Sequence, residues 1–134
     1  MDSFALVSRL AREVPRLSPL LAEHIGTYDE VIPHVFFGEL TPFLIELKDG
    51  PDADQSVLSA TLSLLDKACV EGDESVTDVI NVSFLENLAG RGQLRAMQPF
   101  FGPALSGWAD CLDDYHLQTP RIGWFAKLFG RQRA

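Results

Sequence analysis

The sequence predicts an all-α fold, an irregular bundle of six to eight helices with antiparallel, HEAT-like hairpins. Three observations predict it. Apolar residues recur at spacings of three and four along most of the chain. Proline and glycine stand where helices start and stop. The most strand-like stretch, VINVSFLENL (79–88), does not alternate as a half-buried strand must.

The elements follow in order. Asp2 or Ser3 caps a first helix whose stripe is Phe4, Val7, Leu10, Ala11 and Val14, and Pro15 stops it. Ser18 then caps a short helix with Pro19 in its first turn, ending at Gly26. Asp29 is the cap expected for a longer third helix, with Pro33 in its first turn and Val35, Phe36, Leu40, Phe43, Leu44 and Leu47 on its apolar side. Gly38 and Pro42 interrupt it, because Pro42 cannot donate to the carbonyl of Gly38. A kink or a break into two helices is expected there, with Gly38 open to close approach by another helix.

After the DGPDAD loop, Asp54 caps a helix with Val57, Leu58, Thr61, Leu62, Leu65, Ala68 and Cys69 on one face. Gly72 ends it and Asp73 begins the next almost at once, so the pair 54–71 and 73–89 forms a hairpin. In that second helix Val76, Ile80, Phe84 and Leu88 share a side, while Val79, Val82 and Leu85 lie outside it. A helix apolar on several sides is central, so residues 74–89 are placed as the core helix, closed by Gly90. A short helix before Pro99 follows, then one from Pro103 that buries Leu105, Trp108, Ala109 and Leu112. Residues 1–118 read as one helical domain and residues 119–134 as a basic, aromatic tail.

The bulk numbers bound the function. A chain of 134 residues suits one domain with a real core. No apolar run approaches the roughly 20 residues that span a bilayer, and the N-terminus lacks a secretory pattern, so a cytoplasmic protein is expected. Cys69 and Cys111 fit no CxxC pattern and read as buried thiols. Residues 20–90 hold 14 acids against Lys48 and Lys67. Such a body repels nucleic acid and suits a cationic protein partner, although plain solubility also explains a negative surface.

No phosphate loop, HExxH or GxSxG is present, and the chain is not expected to be an enzyme or to need a cofactor or metal. His34 and Glu39 sit about 140° apart on an ideal helix and do not pair. His34 reads as a hydrogen-bonded, half-buried histidine. Asn81 is placed to bond within the core, and Glu86 points outward or pairs with Arg91 or Arg95. The tail carries Ile122, Trp124, Phe125, Leu128 and Phe129 with Arg121, Lys127, Arg131 and Arg133. It can lie on an anionic membrane as an amphipathic helix or dock on its own acidic body, and the matching charge favours the body.

Two stretches, IPHVFFGELTPFLIEL (32–47) and GDESVTDVINVSFLENL (72–88), resemble a small all-helical bacterial family. The PHVFFGEL and DVINVSFLENL motifs carry the resemblance, which covers residues 18–105 and leaves the tail outside. The family is similar to immunity proteins of polymorphic and contact-dependent toxin systems. The resemblance implies a cytoplasmic binder that neutralises a cognate toxin in bacterial competition, with no catalytic residues. Combined with the charge, it makes Asp29, Glu30, Glu39, Asp73, Glu74 and Asp78 the expected contacts for a basic toxin domain. Phe36 and Phe37 read as core, with one of them open to exposure. The alternative is a HEAT-like helical adaptor.

Overall fold

Asp2 caps α1 (Ser3–Glu13) by accepting the Ala5 N–H at 2.8 Å in a computed structural model that describes residues 1–118 and side chains as far as Leu112. The readings of the tail 119–134 lie outside those residues. The buried stripe of α1 is Ser3, Leu6, Val7, Leu10 and Ala11. Phe4, expected on that stripe, is 59% exposed, at the edge of the face beside Ala11.

A 3₁₀ turn (Pro15–Leu17) leads straight into α2 (Ser18–Tyr28). Ser18 is therefore inside the helical run and not its cap; its hydroxyl instead donates to Ala11 O across the bend at 3.0 Å. α2 runs past Gly26 to a left-handed C-cap, Asp29, at φ 62°. Asp29 thus closes α2 and does not open the next helix. α3 (Pro33–Asp49) starts instead on Pro33, with no side-chain cap.

α3 is one unbroken helix through Pro42. Phe36, Phe37, Leu40, Leu44 and Leu47 are all buried along it, and a buried side chain of this size stabilises by about 1.5–3 kcal/mol, against about 3 kcal/mol for an interior proline. Packing outweighs the lost hydrogen bond. Both phenylalanines are fully buried because α3 is covered on several sides, so neither is exposed. Gly38 serves no close approach, since a Cβ there would meet nothing within 4 Å.

Asp54 caps α4 (Gln55–Glu71) through the N–H groups of Ser56 and Val57. Gly72 follows, and a Cβ there would lie 2.4 Å from the Val76 side chain and 2.7 Å from Ala68 O. Asp73 then caps α5 (Glu74–Asp78), which passes through a π-helical segment (Val79–Leu85) into α6 (Glu86–Gly90) as one continuous rod. The Glu86 N–H donates to Asn81 O, five residues back. A regular core helix was expected; a π register appears instead.

The rod is central. α3 packs along one flank and α8 (Pro103–Gln118) touches the π segment from another, while α1 and α4 meet its first turn. Six consecutive residues, Ser83 to Leu88, are buried, as encirclement requires. Glu86 is among them at 3% exposure, so it does not point outward. α4 packs more broadly on α8 and α3 than on the rod, which it meets at the α5 end.

α7 (Leu94–Met97) and a 3₁₀ turn (Gln98–Phe100) bring the chain to α8. Asp66 of α4 reaches across to accept the Leu105 N–H at 2.8 Å, satisfying an orphan donor of α8 from another helix. Gly102 makes room for it, because a Cβ there would sit 2.4 Å from that carboxyl carbon. Leu105, Ala109 and Leu112 are buried as expected, and Trp108 is half-buried. Cys111 is exposed, and Cys69 is half-buried with its thiol pushed up to about 12 by burial and by nearby Asp66. Neither is a fully buried thiol. The described residues thus form an all-α bundle with no strand, and no helix among them is long and apolar enough to cross a membrane.

Candidate functional site

The corner between α2 and α3 is built around His24. Its ring is buried, lying 4.9 Å from the Tyr28 ring and edge-on to Phe36 at 5.7 Å. Nε2 accepts the Ile32 N–H at 3.0 Å, so the ring proton sits on Nδ1 and is donated to Glu39 Oε1 at 2.9 Å. Both nitrogens are committed. His24 therefore locks the corner and has no lone pair to offer a proton or a metal. Beside it a concavity of about 140 Å³ is lined by Leu20, Glu23, His24, Thr27 and Glu39.

The corner also holds Asp29, the one non-glycine residue with positive φ among those described. Asp29 and Glu30 are exposed, and next to them Ile25 and Tyr28 are 41% and 40% exposed. Large apolar side chains are thus set among carboxylates.

The six acids expected at the site divide by task. Glu39 is half-exposed and tied to His24. Asp73 is exposed but accepts from Ser75 N, Ser75 Oγ and Val76 N; these bonds, the Ser75 hydroxyl first, hold its carboxyl below the usual range. Asp29, Glu30, Glu74 and Asp78 are exposed, with no carboxylate partner shown among the described residues. Glu39 joins Asp29 and Glu30 at one corner through His24, whereas Asp73, Glu74 and Asp78 follow one another at the start of the rod, beside the N-terminus of α1. That junction is fixed by Asp73 N donating to Met1 O and Ser3 N donating to Ser75 Oγ.

A second polar group, with no signature in the sequence, lies between α3 and the rod. His34 Nδ1 lies 2.6 Å from Ser83 Oγ, and the Ser83 carbonyl receives Thr41 Oγ1 and Asn87 Nδ2, each at 3.4 Å. Arg91 Nε continues the line to Asn87 Oδ1 at 2.9 Å. A serine beside a histidine suggests a nucleophile and its base. Here Ser83 is 0% exposed, and its hydroxyl is enclosed between α3 and the rod. His34 itself is hydrogen-bonded as expected but exposed, because it sits in the first turn of α3. Among the described residues Asn81 shows no side-chain bond in the core; it faces a groove next to α8. No three His, Cys, Asp or Glu side chains gather as a metal would need among the described residues.

Over the described residues the chain is an all-helical bundle, with His24 and Ser83 held in hydrogen bonds and several carboxylates open at the surface. The chain belongs to the family described as a domain of unknown function, DUF7674, whose model matches residues 7–116. No curated protein and no solved structure matches it.

Proposed function

We propose that this protein is an immunity protein: a cytoplasmic binder that neutralises a cognate bacterial toxin of basic charge through its acidic surface, without catalysis. The observation that carries this reading is the α2–α3 corner, where Ile25 and Tyr28 stand exposed among Glu23, Asp29 and Glu30. Protein interfaces use such a pattern, an aromatic or aliphatic anchor with a polar rim. Unneutralised carboxylates speed encounter with a cationic partner and select against acidic ones. The acids at the start of the rod, Glu74 and Asp78, form a second patch of the same sign.

The test is a pull-down of the tagged protein with the product of the adjacent upstream gene, at low and high salt. A stoichiometric complex that weakens with salt and silences the toxin is expected. Asp29→Lys with Glu30→Lys should slow association by about tenfold or more, since steering is charge-dependent. A complex indifferent to salt and to both reversals would sink the acidic-surface reading. The absence of any complex would sink the toxin reading. The second reading, a helical adaptor, draws on an apolar groove between the rod and α8.

A further inference from the structure

That groove has a volume of about 450 Å³ and is lined by Thr77 and Asn81 from the rod and by Trp108, Cys111 and Leu112 from α8. We propose that residues 119–134 of the same chain dock in it.

The first argument is where the chain goes. α8 supplies one wall of the groove and runs on to Gln118, so the following 16 residues are delivered at the groove's own end. Pro120 cannot continue the helical ladder, which permits the chain to turn back there. Sixteen residues reach about 24 Å even as a helix, enough to retrace α8.

The second argument is chemistry. Ile122, Phe125 and Phe129 are spaced three and four apart, so they share a face if the segment is helical, and Trp124 and Leu128 adjoin them. Large apolar groups meet a groove walled by Trp108 and Leu112.

The third argument is charge. Arg121, Lys127, Arg131 and Arg133 are accompanied by no acid in this segment. On the rod, Glu74 and Asp78 stand one residue or one turn from the groove-lining Thr77 and Asn81, exposed and with no partner shown among the described residues. The inference does not depend on the toxin reading; where it holds, Glu74 and Asp78 face the tail, and the surface left for a cationic partner is the α2–α3 corner. If it holds, the groove is closed to an adaptor's client.

The test uses the full chain in a Cys69→Ser background, leaving Cys111 as the reporter in the groove. Single cysteines are placed by Phe125→Cys, Leu128→Cys, Arg131→Cys or Arg133→Cys, and oxidised glutathione is added. Docking predicts an intramolecular disulfide to Cys111 from Phe125→Cys or Leu128→Cys, about tenfold faster than from the last two positions. The rate should not depend on protein concentration and should fall with Glu74→Lys plus Asp78→Lys. In a chain with the native tail, alkylation of Cys111 should accelerate by a similar factor when Phe125→Ser and Leu128→Ser are introduced. Equal crosslinking from all four positions describes a tail with no preferred seat and overturns the proposal. Concentration-dependent crosslinked dimers alone would assign the groove to a second copy. Unchanged alkylation of Cys111 would equally overturn it.

Discussion

α3 and the central rod lie against each other, and each departs from α regularity in its own way. α3 contains Pro42 and so lacks one backbone donor, yet its helix is unbroken from Pro33 to Asp49. The rod has neither proline nor glycine from Glu74 to Ala89, yet seven of its residues wind as a π-helix. The difference teaches that local chemistry did not decide either outcome. α3 is held together through its defect by side chains buried on both sides of Pro42. The rod is surrounded, and its hydrogen-bond register gives way so that residues on several faces find places in the core.

The comparison breaks most readily at Phe84. Its side chain is fully buried in the π segment, with the Phe101 ring 6.2 Å away. Phe84→Ala should lower stability by about 3–5 kcal/mol in urea denaturation, with the slope unchanged. Hydrogen exchange at the Glu86 amide, which closes the π turn on Asn81, should accelerate with it. A loss near zero would mean that the π segment is not held by packing.

A smaller effect, of opposite sign, is expected in α3. Pro42→Ala restores a donor aimed at the Gly38 carbonyl and removes the ring's crowding of that turn. Stability should rise, by up to about 3 kcal/mol if the half-buried site accepts alanine without other change. A fall would show that contacts of the proline ring outweigh the missing hydrogen bond, and would place Pro42 among the groups that hold α3 in the bundle.

These two helices also show how far the sequence was legible. The caps Asp54 and Asp73, and Asp2 as one of two candidates, were readable, because a carboxylate before an apolar stripe has a local mechanism, but the same pattern at Asp29 misled, since there the residue closes the preceding helix. The centrality of residues 74–89 was readable from apolar groups on every side. The π register was not, because it answers to neighbours that are distant in sequence. At the candidate site the acids were visible as residues, but their tasks were not. Glu39 is tied to His24, fifteen positions away, and that pairing depends on how α2 meets α3. Ile25 and Tyr28 carried no signal at all, since an apolar residue within a helical stripe reads as core until the fold leaves it outside.

The smallest effect concerns how the two helices begin. α3 starts on Pro33 with no side-chain cap, whereas the rod starts on Asp73, whose carboxylate accepts from Ser75 and Val76. The Ser75 hydroxyl is the largest cause of its lowered pKa, followed by partial desolvation in the opposite sense and by the two backbone N–H groups. A carboxyl with a folded pKa below its unfolded value contributes stability that is complete above the ordinary aspartate range, about 3.9, and is lost as pH falls through the folded value. Asp73→Ala should therefore lower the melting temperature by a few degrees at neutral pH, and the gap to the native chain should close on acidification below that range. Ser75→Ala should narrow the same acid arm while leaving the backbone bonds in place. Pro33→Ala in α3 should show no such pH dependence, because no titrating side chain caps that helix. A gap for Asp73→Ala that stays constant into strong acid would show that the side chain caps equally well when protonated, through hydrogen bonding and not through its charge.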